Sequence, residues 1–245
     1  MTTNTAAPVS ADALRTLPTP ELGMLLLADL VKEPFFLPQN IFARARMAFR
    51  GVPDAEELVE RIGEAWAWLQ SKALVSVATS RPSDNHRVTK EGRELIGDPA
   101  ALRKLEAAER LAGPLHPDLD GHVRTIFNLG EYETACFAAM KAVEVAVRNA
   151  AGLENSLVGV NLMRAAFRVA NPQKTSPAGP LTDQGAEGGE QDAMTNLFAA
   201  AMGAFKNPPS HRTVVFDDAI EAAEIVQFAD LLLRLVERAK ARGAA

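Results

Sequence analysis

The sequence contains only one cysteine, Cys136, among its 245 residues. A single cysteine cannot form a disulfide within the chain, and no second cysteine is present to build a cysteine-based zinc site. We therefore expect a fold that depends on neither disulfides nor a structural metal. No metal and no cofactor are expected at the functional site. Cys136 is predicted to be a small core residue.

Long apolar runs are also missing. No stretch approaches the roughly 20 apolar residues that a membrane-spanning helix needs, and residues 1–13 lack the basic start and apolar core of a signal peptide. The sequence therefore predicts a cytoplasmic protein without membrane contact. A glycine-rich phosphate loop is missing as well, because Gly185, Gly188 and Gly189 lie in an acidic segment that disfavours phosphate.

Positive charge is in slight deficit. The sequence has 26 Lys and Arg against 31 Asp and Glu, which gives a formal net charge of −5. Since nucleic acids are bound through clustered basic side chains, this balance argues against a broad basic face that covers a nucleic acid. A small basic site remains compatible with it. The composition is that of ordinary globular proteins, and the length predicts two domains.

The first half of the chain has the pattern of a small mixed domain. Residues 1–17 are predicted to form a disordered leader. Residues 18–100 then show three helical patterns followed by two short strand patterns within 74–89. Asp54 and Glu57 have the spacing of a capping box at the start of the third helix. Three helices followed by a hairpin is the order of a winged helix, which we expect for 18–100.

The third helix of this domain would enter the major groove if the domain bound DNA. It begins with acidic side chains that would repel phosphate, namely Asp54, Glu56, Glu57, Glu60 and Glu64. DNA binding by the winged helix is therefore disfavoured, and dimerisation, partner docking or positioning of the second domain is expected instead. If DNA were bound, the candidate contacts would be Arg44, Arg46, Arg81 and Arg87.

The second half of the chain reads as helical, so the predicted fold class is mainly α. Residues 101–114 are predicted to form a helical linker, and residues 115–245 an all-helical domain. Within that domain, residues 171–189 are rich in Pro, Gly, Thr and Ser and are predicted to form a mobile loop. Glu144 and Arg148 lie four positions apart on one helix, as either a surface ion pair or part of a functional site.

The densest group of reactive side chains follows a break between two predicted helices. Lys206, Asn207, His211 and Arg212 lie close together with two prolines, which stiffen the turn. Histidine is suited to proton transfer near neutral pH, and lysine and arginine to phosphate binding. The group could instead be a helix-capping turn, because Asn before Pro is a turn former and a cation stabilises a helix C-terminus. His116 is interpreted as a capping residue.

Six segments of the second half occur in an order that resembles the bacterial Ymh-type family, which is related to abortive-infection proteins. The segments are Leu115-His116-Pro117, Phe127-Asn128-Leu129-Gly130-Glu131-Tyr132, Glu144-Val145-Ala146-Val147-Arg148, Gly159-Val160-Asn161-Leu162-Met163 with Ala166-Phe167, Leu197-Phe198, and Lys206-Asn207-Pro208-Pro209-Ser210-His211-Arg212. That family is similar in turn to the HEPN superfamily of helical bundles, whose active members carry an Arg, four further residues and a His. Lys206 and His211 match this spacing, with Lys206 in place of the Arg.

The resemblance implies a metal-independent endoribonuclease that acts as a toxin or phage-defence effector. It implies a homodimer in which two motifs meet in one cleft, an RNA substrate, and a possible antitoxin or defence-system partner protein. The residues it implies in catalysis are His211, Lys206 and Asn207, and those in substrate binding are Arg212, Arg148 and Glu144. If the pair of Glu144 and Arg148 is functional, the resemblance implies that it lines the cleft and positions Lys206 or His211. Because Lys lacks the planar fork of Arg, an alternative stays open: a non-catalytic regulator that binds DNA or a nucleotide and dimerises through the helical domain.

Overall fold

A computed structural model describes residues 7–81, 84–170, 176–206 and 218–243. The chain divides into two compact units, Met1–Leu102 and Arg103–Ala245. The described residues are mostly helical and contain one two-stranded sheet, which confirms the mainly α fold class. Along the same residues, no helix combines the length and apolar composition needed to cross a membrane.

The first unit begins with a short helix, α1 (Ala11–Thr16). The hydroxyl of Ser10 caps it by accepting a hydrogen bond from a backbone N–H of its first turn. Leu14 is fully buried, and removal of its side chain from water helps to offset the cost of ordering the segment. The prediction of a disordered leader over 1–17 is therefore wrong from Ser10 onward, while residues 1–6 lie outside the described residues.

Two arginines connect α1 to the third predicted helix, α4 (Ala55–Ser71). Arg61 of α4 donates hydrogen bonds to two carbonyl oxygens at the end of α1, over 3.2 and 2.7 Å, where a helix leaves carbonyl groups without partners. Arg15 of α1 donates to the Asp54 carboxylate over 2.8 and 2.9 Å. Because that carboxylate binds Arg15, it makes no capping hydrogen bond to α4, and the predicted capping box is absent.

The predicted order of three helices and a hairpin is confirmed in this unit. Its elements after α1 are α2 (Thr19–Leu30), α3 (Pro38–Ala48), α4, β1 (Val75–Val77), β2 (His86–Val88) and α5 (Lys90–Leu95). The two strands are antiparallel, with Val75 opposite Val88. The core lies between the helices, where Leu26 and Ile62 are fully buried.

Phe36, in the connection between α2 and α3, adds a further pairing to the hairpin. Phe36 and His86 exchange two backbone hydrogen bonds, over 2.9 and 2.8 Å, in an isolated antiparallel bridge. The next residue of β2, Arg87, lies opposite Ser76 of β1. Successive residues of a strand direct their backbone groups to opposite edges, so β2 lies between β1 and Phe36.

The second unit is a helical bundle, with α6 crossing the boundary into it. Its elements are α6 (Ala101–Arg110), α7 (Pro117–Asp120), α8 (His122–Asn128), α9 (Tyr132–Ala151), α10 (Gly159–Ala166), α11 (Gly188–Ala201), a π-helical turn (Met202–Lys206) and α12 (Ala219–Gly243). The long helices α9 and α12 pack against each other. Cys136 of α9 is fully buried, with Sγ 3.8 Å from the carbonyl oxygen of Ala222 in α12, so its predicted core position is confirmed.

The segment predicted as a helical linker, 101–114, is helical over Ala101–Arg110 and packs into the core of the second unit. Ala107 and Leu111 are buried in the core of the second unit. The side-chain amide of Gln227 in α12 donates a hydrogen bond to the carbonyl oxygen of Arg110 over 2.8 Å. The linker prediction is wrong because the apolar face of α6 has a partner surface that the local pattern did not indicate.

The described part of the predicted mobile loop, 171–189, packs against the end of α10. Leu181 is buried, and its backbone N–H donates to the carbonyl oxygen of Ala166 over 2.9 Å. That carbonyl belongs to the last turn of α10, which has no partner for it within the helix. This part of the segment is thus packed against α10, while its mobility stays a prediction and 171–175 lie outside the described residues.

Candidate functional site

Two charged side chains and one backbone N–H, from three parts of the second unit, meet at the Glu144 carboxylate. Arg148 lies one turn further along α9, and its Nη2 is 2.9 Å from Glu144 Oε1. Lys206, at the end of the π-helical turn, places its Nζ 3.3 Å from Glu144 Oε2. The backbone N–H of Gly159, at the start of α10, donates to the same Oε2 over 3.0 Å. One carboxylate thus connects α9, α10 and the π-helical turn.

The charged groups of this cluster are largely buried, so each of them needs a partner within the protein. Glu144 is 6% exposed, and the side chains of Arg148 and Lys206 are 12% and 18% exposed. A carboxylate removed from water to this extent is stable only when it is paired and hydrogen-bonded. Two cations and the N–H at a helix N-terminus supply this compensation. The alternative of an exposed surface pair for Glu144 and Arg148 is therefore wrong.

The protonation state of Glu144 follows from two opposed effects. Burial alone would raise its pKa, but hydrogen bonds from Arg148 and Gly159 and the charge of Lys206 outweigh burial, so that the pKa of Glu144 lies below its usual value. The carboxylate is therefore ionised at neutral pH. Two cations and one anion leave a net charge of one positive unit on these three side chains.

Further contacts hold the π-helical turn and the Arg148 side chain in place. The ring of Phe205, next to Lys206 in the π-helical turn, contacts Phe228 of α12 edge-on at 6.0 Å between ring centres. Arg148 Nη2 donates a second hydrogen bond, to the carbonyl oxygen of Leu157 over 3.0 Å. Sequence reasoning missed the two backbone partners, at Leu157 and Gly159. The only signal for Gly159 was its place in one of the segments that carry the family resemblance.

The predicted site residues fall into two groups. The structure brings together Glu144, Arg148 and Lys206. Outside the described residues lie Asn207, His211 and Arg212. The roles of that second group therefore stay predictions, and Lys206 marks the point at which the chain enters their segment.

His116 caps α7, as predicted. Its Nδ1 accepts a hydrogen bond from the backbone N–H of Asp118 over 3.2 Å, and its Nε2 lies 3.0 Å from a carboxylate oxygen of Glu237 in α12. The backbone N–H of His116 donates to the carboxylate of Asp230, also in α12. These contacts attach the start of α7 to α12, which is a structural role.

Two of the four arginines considered as DNA contacts, Arg44 and Arg81, make contacts within the first unit. Arg44 pairs with Asp29 over 3.0 Å, and the guanidinium of Arg81 lies 4.9 Å from the ring centre of Phe35. The acidic side chains Glu56, Glu57 and Glu60 of α4 are exposed. These features are compatible with the expectation that DNA binding is disfavoured, which stays a prediction.

Across the residues that the structure describes, no group of three or more His, Cys, Asp or Glu side chains could hold a metal ion.

A family model described as "Protein of unknown function (Hypoth_ymh)" matches residues 113–236. The matched range contains Glu144, Arg148 and Lys206 together with the predicted motif that follows Lys206. None of the curated proteins matches the chain, and none of the solved structures does.

Proposed function

This chain belongs to the Hypoth_ymh family, and we propose that its second unit is a metal-independent endoribonuclease of the HEPN type with a toxin or phage-defence role. The observation that supports this best is the anchored position of Lys206. Its ammonium is held by Glu144 beside Arg148, immediately before the segment that contains Asn207 and His211.

Metal-free RNA cleavage requires three events at one phosphodiester. The 2′-hydroxyl loses its proton and attacks the adjacent phosphorus, the phosphorane gains negative charge, and the bond to the 5′-oxygen breaks as that oxygen takes up a proton. The products are a 2′,3′-cyclic phosphate and a 5′-hydroxyl. His211 would transfer the protons, since imidazole titrates near neutral pH.

The cations would act on the charge that develops at phosphorus. Fixed positive groups stabilise such charge without reorganising during the reaction. Lys206 meets this requirement because Glu144 holds its otherwise flexible side chain in one place. Arg212 and Arg148 would bind the phosphates, and Asn207 would orient the reacting one. The net positive charge of the described cluster favours an anionic substrate.

We also propose that the active form is a cytoplasmic homodimer through the second unit, restrained by an antitoxin or defence-system partner. Each chain carries a single pair of Lys206 and His211, whereas active HEPN proteins, which the chain resembles, combine two motifs in one cleft. Sedimentation equilibrium at micromolar concentration should give twice the chain mass. A monomer with undiminished activity would contradict this.

For residues 18–100 we propose a winged-helix arrangement. The bridge between Phe36 and His86 supports it, because the connection between α2 and α3 joins the hairpin on the edge opposite β1 and so ties the hairpin to the helices. The acidic exposed face of α4 favours partner docking or dimerisation over DNA binding as the use of this unit.

A non-catalytic regulator is the second candidate, and the replacement of the expected Arg by Lys206 favours it, because a lysine offers phosphate a point charge instead of a planar fork. Incubation of the full chain with end-labelled RNA in EDTA separates the two. We expect the wild type to produce fragments that end in 2′,3′-cyclic phosphate. The variant His211→Ala, at a melting temperature equal to that of the wild type, should produce none. Intact RNA together with a shift of promoter DNA would support the regulator instead.

A further inference from the structure

We infer that Glu144 is a positioning residue: its carboxylate holds the ammonium of Lys206 in the site, and RNA does not contact Glu144 itself. The catalytic consequence of this inference rests on the proposed ribonuclease function. The geometric part rests only on contacts among Glu144, Arg148, Lys206 and Gly159. The sequence left Glu144 either as a substrate-binding residue or as part of a pair that positions Lys206 or His211, and the inference favours positioning of Lys206.

Most of the hydrogen-bonding capacity of Glu144 is used by protein groups. Oε1 accepts from Arg148, and Oε2 accepts from Gly159 and contacts Lys206. The residue is buried, and its ionised carboxylate would repel a phosphate that came close enough to touch it. Any effect of Glu144 on RNA chemistry therefore acts through the cations that it binds.

The Glu144 carboxylate is fixed by protein groups other than the Lys206 side chain that it binds. The rigid backbone N–H of Gly159 fixes Oε2, and Arg148 fixes Oε1 while it is itself bound to the carbonyl oxygen of Leu157. Lys206 reaches the cluster with a flexible four-carbon side chain. Glu144 can therefore set the position of the Lys206 ammonium, and its loss would remove a charged contact that holds the ammonium there.

Glu144→Gln tests the catalytic consequence, because it retains the shape of the side chain and removes its charge. We expect kcat to fall by about 10- to 100-fold, since a displacement of roughly 1 Å at a reacting group costs on the order of 100-fold. The KM for RNA should stay equal or decrease, because a negative charge near the phosphate is lost. Glu154→Gln, an exposed site with the same charge change, should leave both constants unchanged.

A purely structural role predicts a different result. In that case kcat per folded molecule would equal that of the wild type well below the melting temperature. Such an outcome overturns the inference.

The reactivity of the Lys206 amine provides a second measurement that needs no cleavage. Brief acetylation with acetic anhydride, followed by mass spectrometry, should modify Lys206 several-fold more slowly than the exposed Lys141 in the wild type. Glu144→Gln should raise the rate at Lys206 and leave that at Lys141 unchanged. Equal rates at Lys206 in both proteins would contradict the inference, whether or not the protein cleaves RNA.

The two proposals can thus fail separately. If the wild type cleaves no RNA but Lys206 labelling responds to Glu144→Gln, the ribonuclease proposal fails and the positioning role stands. If Glu144→Gln does not fold, Glu144→Asp retains the charge on a side chain one methylene shorter. We then expect increased labelling of Lys206 with a folded protein, and unchanged labelling would count against the role.

Discussion

The backbone N–H of Leu181 donates a hydrogen bond to the carbonyl oxygen of Ala166 over 2.9 Å. The same carbonyl oxygen leaves no room for a side chain at position 179, because a Cβ added at Gly179 would lie 2.4 Å from it. The backbone N–H of Gly179 in turn donates a hydrogen bond to the carbonyl oxygen of Arg168 over 2.7 Å. A segment with the composition of a flexible loop is therefore held in close contact with the end of α10.

This contact predicts a stability cost for Leu181→Ala. Removal of a buried leucine side chain should lower the free energy of unfolding by about 2–5 kcal/mol, whereas Leu197→Ala, at a position 36% exposed, should change it by less than about 1 kcal/mol. Urea unfolding followed by circular dichroism measures both. Equal midpoints for the two variants would show that the segment does not pack as described.

A parallel prediction concerns α1. Leu14 is 1% exposed, so Leu14→Ala should also lower the free energy of unfolding by about 2–5 kcal/mol. Leu25→Ala, in the same unit but 43% exposed, is the matched control and should have a small effect. A wild-type unfolding curve for Leu14→Ala would mean that α1 contributes nothing to the core of the first unit.

The pKa of Glu144 predicts how stability depends on acid. Because its folded-state pKa lies below its usual value of 4.5, the unfolded chain takes up the proton more readily than the folded one. The stabilisation of the fold by ionised Glu144 is fully present at pH values above its usual pKa. It is lost as the pH falls through the lower, folded-state pKa. We expect the wild type to lose stability over this range and Glu144→Gln to lose less.

Urea unfolding at steps from pH 6 to pH 3 provides the measurement, with Glu154→Gln as the control for removal of an exposed carboxylate. Other carboxylates with lowered pKa values, such as Asp54 and Asp230, affect all three proteins alike. Only the difference between Glu144→Gln and the wild type is therefore assigned to Glu144. Parallel curves for these two proteins would contradict the pairing.

The motif itself is tested by three substitutions. If His211 transfers protons, His211→Ala should lower the cleavage rate by roughly 100-fold or more and leave RNA affinity nearly unchanged. Lys206→Ala should weaken both, since a phosphate contact acts in the ground state and in the transition state. Lys206→Arg should maintain or raise activity through a bidentate contact. Equal melting temperatures with full activity in both alanine variants would falsify the catalytic assignment.

Cys136 provides a test of the core between α9 and α12. Burial raises the pKa of its thiol to about 12, and the thiolate is the reactive form. The native protein should therefore react very slowly with Ellman's reagent at pH 8 and release one equivalent only after unfolding in urea. Rapid reaction in the native state would show that this core opens readily.

Local patterns predicted the elements of the fold but not their partners. The periodic apolar residues of α4 and the alternation around β1 and β2 were sufficient to place these elements. Asp54, by contrast, was predicted to cap its own helix and binds Arg15 of α1 instead. The cap failed because a tertiary ion pair competed with a local hydrogen bond, and no local pattern contains that information.

The same limit applied at the candidate site. The spacing of Glu144 and Arg148 indicated an ion pair, which the structure confirms, but the sequence could not show that the pair is buried. Burial arises because α10 and the π-helical turn cover this part of α9. Lys206 was singled out by its position in a motif, whereas its contact with Glu144 depends on how the chain returns to α9 after α11.

The π-helical turn at Met202–Lys206 has a consequence for the comparison and engineering of related chains. A π-helical turn accommodates one more residue than an α-helical turn, and each residue of a regular helix rotates the next side chain by about 100°. The direction of the lysine thus depends on the number of residues before it as well as on its identity. After deletion of the exposed Ala204, the ammonium would keep its direction toward Glu144 only if this turn closed as a regular α-helix.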